Sequence, residues 1–140
     1  MNPFPETQSF VLRSMAEKKF FTPEEANSLV PRLLEIVPAM QQIHARMSRE
    51  FPDVRQAWKK ARENGGSLQG GDYLACVLRF NRYKHELERM GAVLKGVENG
   101  LVDFPSLRDG REVYLCWKHP ETEIRYWHDL DTGFSGRRPI

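Results

Sequence analysis

The chain has 140 residues, 40% apolar and 29% charged, with 21 basic and 19 acidic groups giving a formal charge of +2. That length suits one domain with a core of its own, and the near balance of charge gives no general attraction to nucleic acid. No apolar run approaches the roughly eighteen residues that mark a membrane span, and the first residues lack a secretory pattern, so a cytoplasmic location is expected.

Met1 to Glu17, with Pro3 and Pro5 and little periodicity, reads as a flexible or docking N-terminal arm (1–17). Residues 18–140 read as a single helical domain with a C-terminal hairpin. The domain starts at Thr22-Pro23-Glu24-Glu25. Thr22 is placed to cap a helix, Pro23 suits its first position, and Glu25 completes a capping box. Behind it, Ala26, Leu29, Val30, Leu33, Val37, Met40, Ile43 and Met47 form one apolar stripe at helical spacing, with Pro31 and Pro38 as sites of bending or breakage.

Phe51-Pro52 ends that element. Asp53 to about Arg62 reads as a shorter helix, and Asn64 to Gly71, with four glycines, as a connector. Asp72 opens a second long helix, predicted to run from Tyr73 to about Lys95, antiparallel to the first. Leu101 to Pro105 then leads into a turn at Arg108-Asp109-Gly110-Arg111. Glu112 to Lys118 and Glu123 to His128 alternate as two strands joined by His119-Pro120-Glu121-Thr122, which predicts a β-hairpin packed on the helices. The expected fold is therefore α+β and mainly helical: an antiparallel pair of long helices, a shorter helix and a C-terminal β-hairpin. Cys76 and Cys116 are expected as free, largely buried thiols.

Chemistry concentrates after Leu101. His128-Asp129-Leu130-Asp131 places imidazole beside carboxylates, which are the ligand types of zinc, manganese and ferrous iron. His128, Asp131 and Asp103 are the candidate ligands of a divalent metal. His128 with Asp131 is the candidate acid/base pair. Arg108 offers a bidentate anion clamp, with Glu112 and Glu25 as further binding residues. The blander role of each is structural: aspartates capping a turn, arginines neutralised by nearby acids, and tryptophans packing the core. The basic helix faces read as solvated surface, and no nucleic-acid motif is present.

Glu24-Glu25-Ala26-Asn27-Ser28-Leu29 and the closing stretches Gly100 to Pro105, Arg108 to Trp117 and Tyr126 to Phe134 resemble a prokaryotic uncharacterised family, domain of unknown function 2203. The resemblance covers approximately Phe20 to Ile140. It draws Glu25, Asp103, Arg108, Glu112, His128 and Asp131 together as one candidate site and implies no reaction.

Two functions compete. The leading expectation is a soluble homo-oligomeric interaction or assembly module, most simply a homodimer, because an aromatic hairpin on amphipathic helices offers much apolar surface. An unidentified protein partner fits the same reading; nucleic acid and membrane are not expected. The alternative is a metal- or anion-dependent enzyme acting on a small phosphate or carboxylate compound through the C-terminal polar cluster. Residue types alone leave open whether the chain is an enzyme.

Overall fold

The computed structural model describes residues 18–52 and 68–140. The arm of residues 1–17, the shorter helix from Asp53 to Arg62 and most of the glycine-rich connector lie outside the described residues.

The start signal forms as its residues dictate. Helix α1 is Pro23–Ser28; the Thr22 hydroxyl accepts from the Glu25 N–H at 3.1 Å, and the Glu25 carboxylate accepts from the Thr22 N–H at 3.4 Å. The apolar stripe does not continue as one rod. A turn at Leu29 separates α1 from α2, Val30–Glu50, and Pro31 falls in the first turn of α2, where its missing N–H costs nothing. Pro38 stays inside α2. Val30, Leu33, Ile36, Val37, Met40 and Ile43 are the buried face of that helix.

Helix α3, Leu68–Met90, runs back along α2. The Arg32 guanidinium holds Glu86 at 2.7 and 2.9 Å near one end of the pair, and the ring of Phe51 meets that of Tyr73 edge-on at 5.4 Å near the other. The pairing is thus antiparallel, but α3 stops five residues short of Lys95. Gly91, at φ +89°, turns the chain out of the helix, its N–H bonding the Glu88 carbonyl and the Ala92 N–H the Leu87 carbonyl, both at 3.0 Å. This is a Schellman end, with buried Ala92 packed beside buried Leu87.

The chain then builds a sheet rather than a hairpin, which corrects the expected fold. Strands β1 (Val93–Gly96), β2 (Leu101–Arg108), β3 (Arg111–Lys118), β4 (Tyr126–Asp129) and β5 (Arg138–Pro139) form a five-stranded antiparallel sheet in chain order, alongside the three α-helices of the described residues. The segment read as a lead-in, Leu101 onward, pairs with β3 along its whole length. Its strand character is obscured by Asp103 and Pro105, yet neither breaks the sheet. Pairing with β1 ends at Asp103, and the Pro105 carbonyl accepts from the Phe21 N–H at 2.7 Å, so the proline lies where no strand neighbour needs its N–H.

Alternation gives the sheet two faces. Val102, Phe104, Val113, Leu115, Trp117 and Trp127 join α1, α2 and Leu87 of α3 in the core. Ser106 donates to the Phe21 carbonyl at 2.6 Å, and Asn27 accepts from the Ile124 N–H at 2.7 Å, tying α1 and its approach to the sheet. Asp103, Tyr114, Cys116, Tyr126 and His128 lie on the other face. The C-terminal segment after β4, with a 3-10 turn at Phe134–Gly136, crosses that face. No helix among the described residues is long and apolar enough to cross a membrane.

Candidate metal centre

Three chemically distinct side chains meet on the face away from the helices. The turn Asp109-Gly110, with φ of 52° and 76°, is a two-residue hairpin connection, and it fixes the β2–β3 register so that Asp103 lies opposite Cys116. In the next strand His128 pairs with Tyr114, one step along the same face. Asp103, Cys116 and His128 are 2%, 1% and 2% exposed. A carboxylate oxygen, the thiol sulfur and a ring nitrogen all lie within 4.8 Å of one another, a geometry compatible with coordinating a divalent metal ion.

Hydrogen bonding settles the state of the imidazole. Nδ1 of His128 is 2.7 Å from the Asp129 carbonyl, which can only accept, so Nδ1 carries a proton. Nε2 is 2.9 Å from Asp103 Oδ2. That contact requires one shared proton, or a cation in its place. Asp103 Oδ1 is buried with no hydrogen-bond partner among the described residues. Burial pushes the Asp103 carboxyl above its ordinary range, opposed by His128, the Cys116 thiol and Lys95. Burial, reinforced by the Asp103 charge, pushes the Cys116 thiol up to about 12.

The donor set fits a metal. Thiolate, imidazole and carboxylate are the sulfur, nitrogen and oxygen ligands of zinc-class ions. An imidazole that donates one N–H to a backbone carbonyl while presenting its other nitrogen is the usual setting of a metal-bound histidine. The orphaned Oδ1 is a ready acceptor for positive charge. A nucleophilic Cys/His/Asp relay fits less well, because Nδ1 is committed to the backbone and Nε2 to Asp103, leaving no ring nitrogen for the thiol. Beside the three residues lies a cavity of about 100 Å³, also lined by Lys95, Leu101, Leu130, Gly133 and Phe134.

The other residues singled out in the sequence are dispersed. Asp131 is exposed in the turn beyond β4 and contributes no atom to the cluster. Arg108 lies on the helix side of the sheet, its guanidinium 4.7 Å from the Trp127 ring centre. Glu112 pairs with Lys18; Glu25 caps α1 and stands 3.7 Å from Lys19. Of the predicted site residues the structure brings together His128 and Asp103. Sequence reasoning missed Cys116 and Lys95. For Cys116 the signal was present: reading Asp109-Gly110 as a two-residue hairpin turn sets Asp103 against Cys116 by counting alone.

No curated protein and no solved structure matches this chain. The sequence model described as Uncharacterized conserved protein (DUF2203) matches residues 19–140, and the chain belongs to that family.

Proposed function

We propose that this protein binds one divalent metal ion of the zinc class through Asp103, Cys116 and His128, and uses the remaining coordination position to act on a small phosphate or carboxylate compound. The observation that carries the reading is the buried cluster itself: three different ligand types within 4.8 Å, one of them an imidazole whose other nitrogen is held by a backbone carbonyl. In a purely structural network His128 and the Cys116 thiol would both bond the Asp103 carboxylate, and Oδ1 would have no partner among the described residues, as Trp127 Nε1 and Arg137 Nε have none. Bound metal would supply a Lewis acid beside the cavity. Asp103 and Cys116 would offset its charge, and the Asp129 carbonyl would keep the His128 ring in place.

The test is metal analysis of protein purified without added metal, followed by competition with a chromogenic chelator. About one equivalent of tightly held zinc, manganese or iron is expected, with a gain in thermal stability on metal addition. Occupancy below about a tenth, with no stabilisation by any of these ions, would remove the proposal.

Self-association is a separate reading. The aromatic face that motivated it is packed within the chain, Trp117 being fully buried and Trp127 6% exposed. What supports it instead is Leu74 and Leu78, one turn apart on α3 and 48% and 57% exposed. Sedimentation of the wild type beside a Leu78→Glu variant tests it: a dimer abolished by the charge is the expected result, and a monomeric wild type ends the idea.

A further inference from the structure

We propose that Lys95 makes this centre selective for a small monoanionic carboxylate, held with one oxygen on the metal and the other on the Lys95 ammonium. The proposal rests on the metal reading above and names the ligand class of that site.

Position comes first. Strand β1 pairs Val93 with Asp103, Leu94 with Val102 and Gly96 with Leu101, so Lys95 is the extra residue of a β-bulge. A bulge bends its strand and re-aims the side chain it carries. Alternation along β1 sets its face: Leu94 pairs with core-facing Val102, so Lys95 falls on the face of Asp103, Cys116 and His128, and it lines their cavity. The ammonium lies 4.4 Å from the centre of the Tyr114 ring, across the sheet from His128. Among the described residues it forms no ion pair, whereas Lys18 and Lys19 each have a glutamate.

Charge then sets the ligand. A divalent ion is balanced by the Asp103 carboxylate and the Cys116 thiolate, with His128 neutral as a ligand. Lys95, an exposed residue at the rim, adds one positive charge, and the other lining residues Leu101, Leu130, Gly133 and Phe134 carry none. The charge balance at the mouth of the cavity therefore favours an anion carrying one negative charge.

Size and donor geometry narrow the choice. The cavity of about 100 Å³ is about three times a water's share of liquid volume and well below the 300 Å³ or so at which pockets for larger organic ligands begin. The part of a ligand inserted here is therefore a small group, of about the size of a carboxylate. Phosphate sites are also commonly built from arginine forks, and among the described residues the lining contains no arginine and, as helix, only the first residue of the short 3-10 turn. Two cationic points on one small cavity match the two oxygens of a carboxylate.

The test uses cobalt(II) as the probe metal in the full chain, because its thiolate charge-transfer and d–d bands report coordination without any assay of activity. Cobalt is expected to bind with a thiolate band. Acetate or formate is then expected to shift the d–d bands saturably, and inorganic phosphate to do so at least about tenfold more weakly. Lys95→Met is expected to keep the thiolate band while weakening acetate at least about tenfold, and Lys95→Arg to restore part of that loss. Absence of the thiolate band would remove the metal reading and this inference together. A normal band that acetate does not shift, phosphate binding as tight as acetate, or Lys95→Met binding acetate like the wild type would each overturn the inference and leave the metal centre standing.

Discussion

Nε2 of His128 lies 2.9 Å from Oδ2 of Asp103, with the two side chains 2% and 3% exposed. Because the other ring nitrogen already donates to the Asp129 carbonyl, this pair is a socket for one cation, filled by a proton or by a metal. The two fillings respond differently to substitution at Asp103.

Asp103→Ala leaves a buried imidazole facing a void, and the metal-free protein is expected to lose about 3–5 kcal/mol, as when one partner of a buried pair is removed. Asp103→Asn keeps the volume and can donate an amide N–H to the Nε2 lone pair, so its cost is expected at about 1 kcal/mol. Both variants lose the carboxylate ligand and should bind zinc at least about 100-fold more weakly. Urea unfolding in chelator and chelator competition separate the two effects. An Asn variant with wild-type affinity would show that Asp103 does not hold the metal.

Cys116 predicts how the protein responds to pH. Its thiol is pushed from 9.0 up to about 12 by burial and by the Asp103 charge, so the folded chain holds that proton more tightly than the unfolded chain. The resulting stability is complete below about pH 9 and is lost as the pH rises toward about 12. In chelator, the stability advantage of wild type over Cys116→Ala should therefore shrink between about pH 9 and 11. Metal binding needs the thiolate, so it must expel this proton and strengthen about tenfold per pH unit for each proton released. Thermal unfolding across that range, and calorimetry in buffers of different ionisation enthalpy, check the two signs. A stability gap that does not narrow with pH, or zinc binding without proton release, contradicts them.

Two glycines isolate a steric effect from a conformational one. Gly91 and Gly110 have φ of +89° and +76°, so a side chain is strained at either. A Cβ on Gly110 meets nothing within 4 Å, whereas one on Gly91 would stand 3.0 Å from the Phe21 ring. Gly110→Ala should cost about 1 kcal/mol, and Gly91→Ala about 2 kcal/mol or more, because Phe21 is buried and cannot swing clear. Denaturant midpoints of the two variants test this. Equal losses would mean that the Gly91 turn yields to the ring.

These same turns explain how far the residues could be read without coordinates. The capping box at Thr22 and the buried stripe of α2 are local, and local spacing discloses them. Gly91 was visible, but its role depends on Ala92 meeting Leu87 in a Schellman end, and the apolar residues beyond it, Val93 and Leu94, fit a helix as well as a strand. Strand β2 was hidden because both of its faces are buried for different reasons, Val102 and Phe104 in the core and Asp103 in the polar cluster, which erases the alternation that marks a half-exposed strand. The pairing of His128 with Asp103 crosses an intervening strand, so it needs the β3–β4 register, which the longer connection 119–125 does not give by counting, as well as the one that the Asp109-Gly110 turn fixes. The bulge at Lys95 leaves no local pattern.

Access to the cluster is governed by the segment that crosses it, and Arg137 pins that segment. Its guanidinium donates to both Glu121 oxygens at 2.7 and 2.9 Å and to the Cys116 carbonyl at 3.2 Å. It also stacks 4.2 Å from the Tyr126 ring centre and 4.8 Å from that of Phe134. Glu121 is itself tied down, accepting from the Lys118 N–H at 2.6 Å through its carboxylate and from the Trp117 indole N–H at 2.7 Å through its carbonyl. All three bonds come from the one nitrogen Nη2, and with the stacked rings this single side chain joins the C-terminal segment to β3, β4 and the loop between them. Arg137→Ala removes every bond at once and should lower the free energy of local opening by about 1.5–3 kcal/mol, the usual worth of hydrogen bonds to a charged group. Reaction of Cys116 with a thiol reagent, followed in a Cys76→Ala background because Cys76 is also buried, should then accelerate at least about tenfold in metal-free protein. Arg137→Lys keeps the charge but loses the flat guanidinium stacked on Tyr126 and Phe134, so its rate should fall between the two. A thiol that reacts no faster in Arg137→Ala would mean that the sheet alone shields Cys116, and that ligands reach the cluster by a route other than lifting this segment.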